Sequence, residues 1–308
     1  MTSNFIRDHS VRARFVKDYS LPFNMVHDPY FDYFIDLFDE DFDTISALDS
    51  LNQLLQLCES VEDFFKKGES IKNEIIASIS GTEQYSDFTS SNFDQFKIET
   101  PNPQSGKLYT PENSGKDFVS IDLVEANFNA MRFFSPQMFE QFGCPSYFVE
   151  VLQHVTFHMY FTRSKRFRQI IFGSLNPKRQ RRIQKWWINK IIMRLQSEYL
   201  IGDCSDSIIT ISDDEVILRG GSLPTDMFSD LATWSKMPLH IQPFRLERIG
   251  DHPYYVKYDS EGRMEIKGVP SYLMLQVYKA VKGLDIYEED RTFYFEGQLV
   301  RFVESFKK

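Results

Sequence analysis

Between positions 151 and 197 the chain has no Asp or Glu, yet it carries 11 Lys or Arg: Arg163, Lys165, Arg166, Arg168, Lys178, Arg179, Arg181, Arg182, Lys185, Lys190 and Arg194. A segment with one sign of charge cannot neutralise itself. Its cations must face solvent, meet acids from elsewhere in the fold, or offer a surface to an anion. Removing those 11 from the 35 basic residues leaves 24 against 44 acids, a balance of −20. The formal net charge of −9 therefore conceals a basic segment inside an acidic chain. A segment so lopsided is a footprint for an anionic ligand.

The chain is 308 residues long and 42% hydrophobic, enough to bury a sizeable core and to exclude wholesale disorder. That length suits one large domain or two small ones. Cys58, Cys144 and Cys204 form no CxxC pair, and an odd count gives no disulfide framework, so a reducing compartment is expected. No apolar run approaches the roughly 18 residues of a membrane span. The first fifteen or so residues are too polar for a secretory signal. The expected location is the cytoplasm, or a nuclear or viral replication site, and not the exterior.

Residues 1–20 read as a mobile or docking arm. In 28–43 aromatics alternate with acids, and Phe31, Phe34, Ile35 and Phe38 fall on one helical face. Residues 46–65 give a second helical pattern and 71–79 a short third. Residues 80–115 are rich in Ser, Thr, Asn, Pro and Gly, which predicts a loop with one short strand around 96–98. FVSIDL at 118–123 reads as a buried strand, and the following residues as a turn into a helix. Residues 147–161 and 163–173 read as helical. Asn176-Pro177 restarts a helix that runs to about 199, with Asn176 as N-cap. Residues 207–211 and 216–219 read as a hairpin with an acidic tip. A mixed segment follows, then strands at 254–258 and 264–268, a helix at 271–282 and a hairpin at 292–303. The predicted class is α+β: an antiparallel sheet with packed helices and a helical N-terminal region. The predicted organisation is 1–115 as helices and loop, 116–226 as the core, and 227–308 as an accessory region.

Three pieces carry chemistry together. Asp122 ends a buried strand. A basic helix ends in Phe-Gly, with Lys165, Arg168, Gln169 and Phe172 at i, i+3, i+4 and i+7 on one face. Asp213, Asp214 and Glu215 form the hairpin tip. Two-metal nucleotidyl transfer needs carboxylates from separate strands to hold divalent cations about 3.5–4 Å apart. Mg²⁺ prefers such hard oxygens and keeps substrate phosphates among its ligands. Cationic side chains must then neutralise the triphosphate.

The order strand-Asp, basic helix, acidic hairpin resembles motifs A, B and C of palm-domain nucleic-acid polymerases. Ser120-Ile-Asp-Leu resembles motif A, including its reverse-transcriptase form. Arg168-Gln-Ile-Ile-Phe-Gly is similar to the fingers helix of family A and B DNA polymerases. Ser212-Asp-Asp-Glu-Val-Ile-Leu resembles the family A His-Asp-Glu hairpin, with Asp213 in the His position. Residues 258–269, around Lys267, look like a family B element that touches the primer–template backbone. The resemblance covers about 120–270, and extends to little-characterised palm-like proteins of large DNA viruses and phages.

The resemblance implies a palm-like sheet in 116–226, a thumb-like region in 227–308, and a polymerase adding nucleotides to a DNA or RNA primer. Asp122, Asp214 and Glu215 would be catalytic; Asp122, Asp214 and Asp213 would hold Mg²⁺ or Mn²⁺. Lys165, Arg168 and Phe172 would hold the nucleoside triphosphate, with Phe172 or Tyr160 stacking on the base. Lys178, Arg181, Arg182, Lys185 and Lys267 would track the nucleic acid. Replication-complex proteins are possible partners, and no membrane is.

Three alternatives stay open, one of them a virion or structural interaction protein in which 151–197 binds an acidic partner, such as this chain's own Asp-rich segment. Gly202-Asp-Cys-Ser-Asp206 resembles the family B Asp-Thr-Asp-Ser hairpin, which would make Asp203 and Asp206 the ligands instead. A non-catalytic nucleic-acid-binding replication accessory, or decayed polymerase, would keep the basic segment and need no metal. His154 and His158 share an i, i+4 face but lack a third ligand, so packing or surface roles are expected. Of Trp186 and Trp187, at least one is expected in the core.

Overall fold

In the computed structural model, residues 4–199, 207–221, 223–224 and 226–307 are described. The N-terminal part is helical: α1 (His9–Asp18), α2 (Tyr30–Phe42), α3 (Thr44–Leu55), α4 (Val61–Ser80) and α5 (Glu83–Ser90). After the strand β1 (Lys116–Leu123) come α6 (Ala126–Phe134), α7 (Phe148–Val155), α8 (Met159–Arg163), α9 (Lys165–Gly173) and the long α10 (Pro177–Tyr199). Strands β2 (Ile208–Ile211) and β3 (Glu215–Arg219), helix α11 (Met227–Trp234), and strands β4 (Leu239–Arg248), β5 (Tyr255–Asp259) and β6 (Met264–Lys267) follow. Helix α12 (Met274–Lys282) and the hairpin β7 (Thr292–Phe295) and β8 (Gln298–Arg301) complete the order. This is an α+β fold.

The main sheet is antiparallel, in the order β2-β3-β1-β4-β5-β6. Strand β1 lies inside it, paired with β3 and with β4. Opposed residues of antiparallel strands point to the same face. Val119, Ile121, Leu123, Val216 and Leu218 therefore share a face, which enters the large helical core. Phe118, Ile217, Phe244, Leu246 and Tyr255 occupy the opposite face, where Leu108 from the preceding loop covers them. The sheet takes strands from either side of position 226. The large core takes side chains from Val11 to Tyr278, and so from all three sequence segments.

Several sequence expectations need correction. Residues 9–18 are a docked helix and not a mobile arm. Val11 and Phe15 are fully buried, and Asp18 accepts hydrogen bonds from the hydroxyl of Tyr160 (2.9 Å) and, at its carbonyl, from Ser164 (3.0 Å). The 46–65 pattern is two helices, because Ser60 caps α4 by accepting from the Asp63 amide. The expected 71–79 helix is the second half of α4. Residues 83–90 are helical, and 94–96 form a 3₁₀ turn where a strand was expected. Asn176 precedes α10 in a left-handed conformation (φ 55°), not the extended one an N-cap favours, although its carbonyl takes the Arg179 amide. His154 and His158 stand on no common helix, since α7 ends at Val155 and α8 starts at Met159. The mixed segment contains β4, the longest strand and the closest partner of β1.

Other expectations hold. Helix α2 buries Phe31, Phe34, Ile35 and Phe38, the residues its periodicity selects. The β2–β3 and β7–β8 hairpins pair as read. No helix among the described residues is long and apolar enough to cross a membrane.

Candidate active site and basic groove

Strand β1 carries a half-buried carboxylate near its C-terminal end. There Asp122 lies opposite Glu215 of β3 and His240 of β4, on the sheet face turned from the helical core. The hairpin tip is organised by Ser212. Its amide donates to the Glu215 carbonyl (2.8 Å), and its hydroxyl oxygen accepts from the Glu215 amide (2.9 Å). The Leu123 amide donates to the Asp214 carbonyl (2.9 Å), which ties the tip to the end of β1. Two positions more than ninety residues apart in sequence are thereby held side by side.

Asp122 and Asp214 line one cavity of about 400 Å³ with Lys165, Arg168, Gln169 and Asn127, over a floor that includes Phe128, Phe148 and Phe172. Burial, then the charges of Asp214 and Glu215, push the Asp122 carboxyl up to about 6; His240 and Lys165 oppose this only in part. A carboxyl so placed gains from a cation beside it. Across the cavity, Arg168 is fixed by an ion pair with Glu125 (3.0 Å), whose other oxygen accepts from the Phe148 amide (2.8 Å). Glu125 itself adopts a left-handed backbone (φ 44°) at the turn into α6. Sequence reasoning passed over this residue. Its one signal in the sequence was its place, an acid three residues after the strand Asp at the turn into a helix.

Not every residue singled out in the sequence reaches this cavity. Glu215 is adjacent, but its carboxylate accepts from the Ser120 hydroxyl (2.6 Å). Asp213 turns the other way, to Arg181 (3.4 Å) and Lys185 (3.2 Å) of α10. It does not join Asp122 as a ligand here. Phe172 lines the cavity yet packs on Phe148 with ring centres 4.6 Å apart and is only 4% exposed, so it is floor and not a free stacking surface. Tyr160 is fully buried beside Tyr19 and Phe64, hydrogen-bonded to Asp18, away from the cavity. Lys267 lies on the edge strand β6, ion-paired with Glu265. Asp203 and Asp206 lie outside the described residues.

For a divalent cation the donors at hand are the carboxylates of Asp122 and Asp214. Among the described residues no group of three or more His, Cys, Asp or Glu is assembled to hold a metal. A pair of carboxylates fits Mg²⁺, which is commonly held by one or two of them and by substrate phosphates.

The cations of the basic segment divide by task. Arg163 pairs with Asp43 and Ser46. Arg179 donates to the carbonyls of Phe88 and Ser91 and covers the Phe93 ring, and Arg194 joins Asp230 and Glu198 over Trp234. These are tethers of the fold. Lys178, Arg181, Arg182 and Lys185 recur at i, i+3, i+4 and i+7 on α10, and with Phe96, Lys97 and Ile98 they line a second cavity of about 410 Å³. Trp187 is buried, stacked on Trp234 and bonded to Ser235, whereas Trp186 is half-buried.

Comparison with protein-family models, with curated proteins and with solved structures found no match.

Proposed function

We propose that this chain is a nucleic-acid polymerase, a nucleotidyltransferase that adds nucleotides to a primer with the help of divalent cations. One observation carries the reading: the end of β1 and the β2–β3 tip bring Asp122 and Asp214 into one cavity, with Lys165 and Arg168 also on its wall. A ligand suited to that cavity bears negative charge and a bound cation, as a metal–triphosphate does. Asp122 and Asp214 would hold Mg²⁺ or Mn²⁺, which when bound would neutralise phosphate charge and activate the attacking hydroxyl. Lys165 and Arg168 would orient the triphosphate, and Glu125 would hold Arg168 extended toward it. Residues 116–226 would supply the palm-like core. The strands of 227–308 would extend the same sheet.

The test is incorporation of labelled nucleotide on a primed template with Mg²⁺ or Mn²⁺. Activity should disappear in Asp122→Ala and Asp214→Ala and persist in Lys267→Ala. Full activity in both aspartate variants rules this site out.

A second reading is a nucleic-acid-binding replication accessory without catalysis. It is favoured by the α10 groove, whose five cations form a separate cavity that excludes both Asp122 and Asp214. That protein would bind nucleic acid equally well with and without Asp122 and Asp214.

A further inference from the structure

The groove on α10 and the candidate active site are joined by one residue. Asp213, at the tip of the β2–β3 hairpin, reaches both Arg181 (3.4 Å) and Lys185 (3.2 Å) through its two carboxylate oxygens. Its neighbour Asp214 lines the other cavity and is bonded through its carbonyl to the end of β1. We infer that Asp213, which contacts two of the groove's cations without lining the cavity itself, occupies a phosphate position on them, and that the backbone of a nucleic acid displaces it when the groove is filled. The inference deepens the proposed function by naming the ligand of the groove and the residue that competes with it.

Charge and shape both favour a phosphodiester chain. Lys97, Lys178, Arg181, Arg182 and Lys185 surround about 410 Å³, and half-buried Ile98, with buried Phe96 beside it, contributes an apolar patch against which a sugar can lie. Asp213 presents two oxygens to an arginine and a lysine, as a phosphate does. The contact is also weak enough to exchange. The side chains of Arg181 and Lys185 are 60% and 53% exposed and that of Asp213 is 38% exposed. Ion pairs as wet as these contribute little, so an arriving phosphate meets no deep well. Asp94 stands 4.0 Å from Arg182, a looser contact than either of Asp213's.

The experiment is a binding titration, independent of nucleotide incorporation. Full-length protein is titrated with a fluorescent single-stranded oligonucleotide, without metal or nucleotide, at several salt concentrations. Asp213→Asn should bind about two- to tenfold more tightly than wild type. Arg181→Gln with Lys185→Gln should weaken binding and reduce the slope of log affinity against log salt by about 1.4, at ~0.7 per lost phosphate contact. The decisive measurement is the cycle between these changes. If Asp213 acts through those two cations, Asp213→Asn gains nothing in the Arg181→Gln, Lys185→Gln background. An equal gain in both backgrounds reduces Asp213 to a distant repulsive charge and overturns the inference. So does competition by polyglutamate at the same charge concentration, which would assign the groove to an acidic protein.

The two readings fail separately. Tight, cycle-dependent binding without incorporation sinks the polymerase and leaves the groove. Incorporation with unchanged binding in the Arg181→Gln, Lys185→Gln protein does the reverse.

Discussion

Replacing Asp122 by asparagine should make the folded protein more stable at neutral pH while ending nucleotide incorporation. In an unfolded chain this carboxyl ionises near 3.8; in the fold, burial and the charges of Asp214 and Glu215 raise it to about 6. Between those values the folded state holds a proton that the unfolded state has released, so stability falls as pH rises. The cost is absent below about pH 3.8, roughly half developed at pH 5 and complete above about pH 6. At full strength such a shift corresponds to ~3 kcal/mol. Asp122 keeps some contact with water, which reduces this to about 1–2 kcal/mol. Asparagine has the same shape and no charge to desolvate. Urea unfolding at pH 8 should therefore give the variant a midpoint about 0.5 M above wild type, for an m-value of ~3 kcal/mol/M. The gap should close by pH 4. Millimolar Mg²⁺ should raise the wild-type midpoint and leave the variant's unchanged, since only a folded state that binds the cation is stabilised by it. If the variant is no more stable than wild type at pH 8, Asp122 is not a strained carboxylate, and the electrostatic case for a cation there fails.

Glu125→Gln should raise KM for nucleotide more than it lowers kcat, because Arg168 loses its anchor but stays in the cavity; steady-state kinetics decide. Phe15→Ala should cost about 3–5 kcal/mol in chemical denaturation, the penalty for emptying a fully buried ring site, where a mobile arm would cost nothing. Tyr160→Phe should cost about 1–3 kcal/mol, since it strips a hydrogen bond from the buried Asp18 carboxylate, and should leave incorporation by the remaining folded protein unchanged. Gly220→Ala should cost about 1–3 kcal/mol in thermal or urea unfolding, because a Cβ there would stand 2.9 Å from the backbone of Asp117 in β1.

The parts of the fold that the sequence disclosed are those where periodicity and burial agree. FVSIDL is apolar on both faces before Asp122 except at Ser120, and it forms all but the first two residues of β1. The acidic tip between 208–211 and 215–219 could only be a turn. Strand β4 escaped because its apolar phase slips: Leu239 and Ile241 share one parity, Phe244 and Leu246 the other, with Pro243 between them. Proline in a strand argues for an edge, yet here it faces Val119 just before pairing with β5 begins at Phe244, so its missing N–H takes nothing from that second ladder. Helix α5 hid in a Ser- and Thr-rich segment because Phe88 is its one buried residue. Helix α1 read as an arm because it buries charged Arg12 and Asp18 beside Val11, Phe15 and Val16; Arg14 pairs with Asp18 within the helix, but Tyr160 and Ser164, which also bond Asp18, are remote in sequence.

The candidate site was legible in the same uneven way. Its two aspartates and two cations converge from pattern and order alone. The direction in which Asp213 points was not legible, because it depends on Arg181 and Lys185 lying just behind the hairpin.

The central position of β1 bears on how the chain is made. Its neighbours on either side, β3 and β4, are encoded roughly 100 and 120 residues later. At 5–20 residues per second a ribosome needs roughly 5–19 s to pass from the end of β1 to the end of β3, and roughly 6–25 s to reach the end of β4. Until β3 is made FVSIDL is a largely apolar segment with both backbone edges unsatisfied, and until β4 is made it still has one, the kind of stretch that recruits strands from other chains. Yield from recombinant synthesis should accordingly respond to translation speed and to chaperone supply more than to any change at the polar end of the strand.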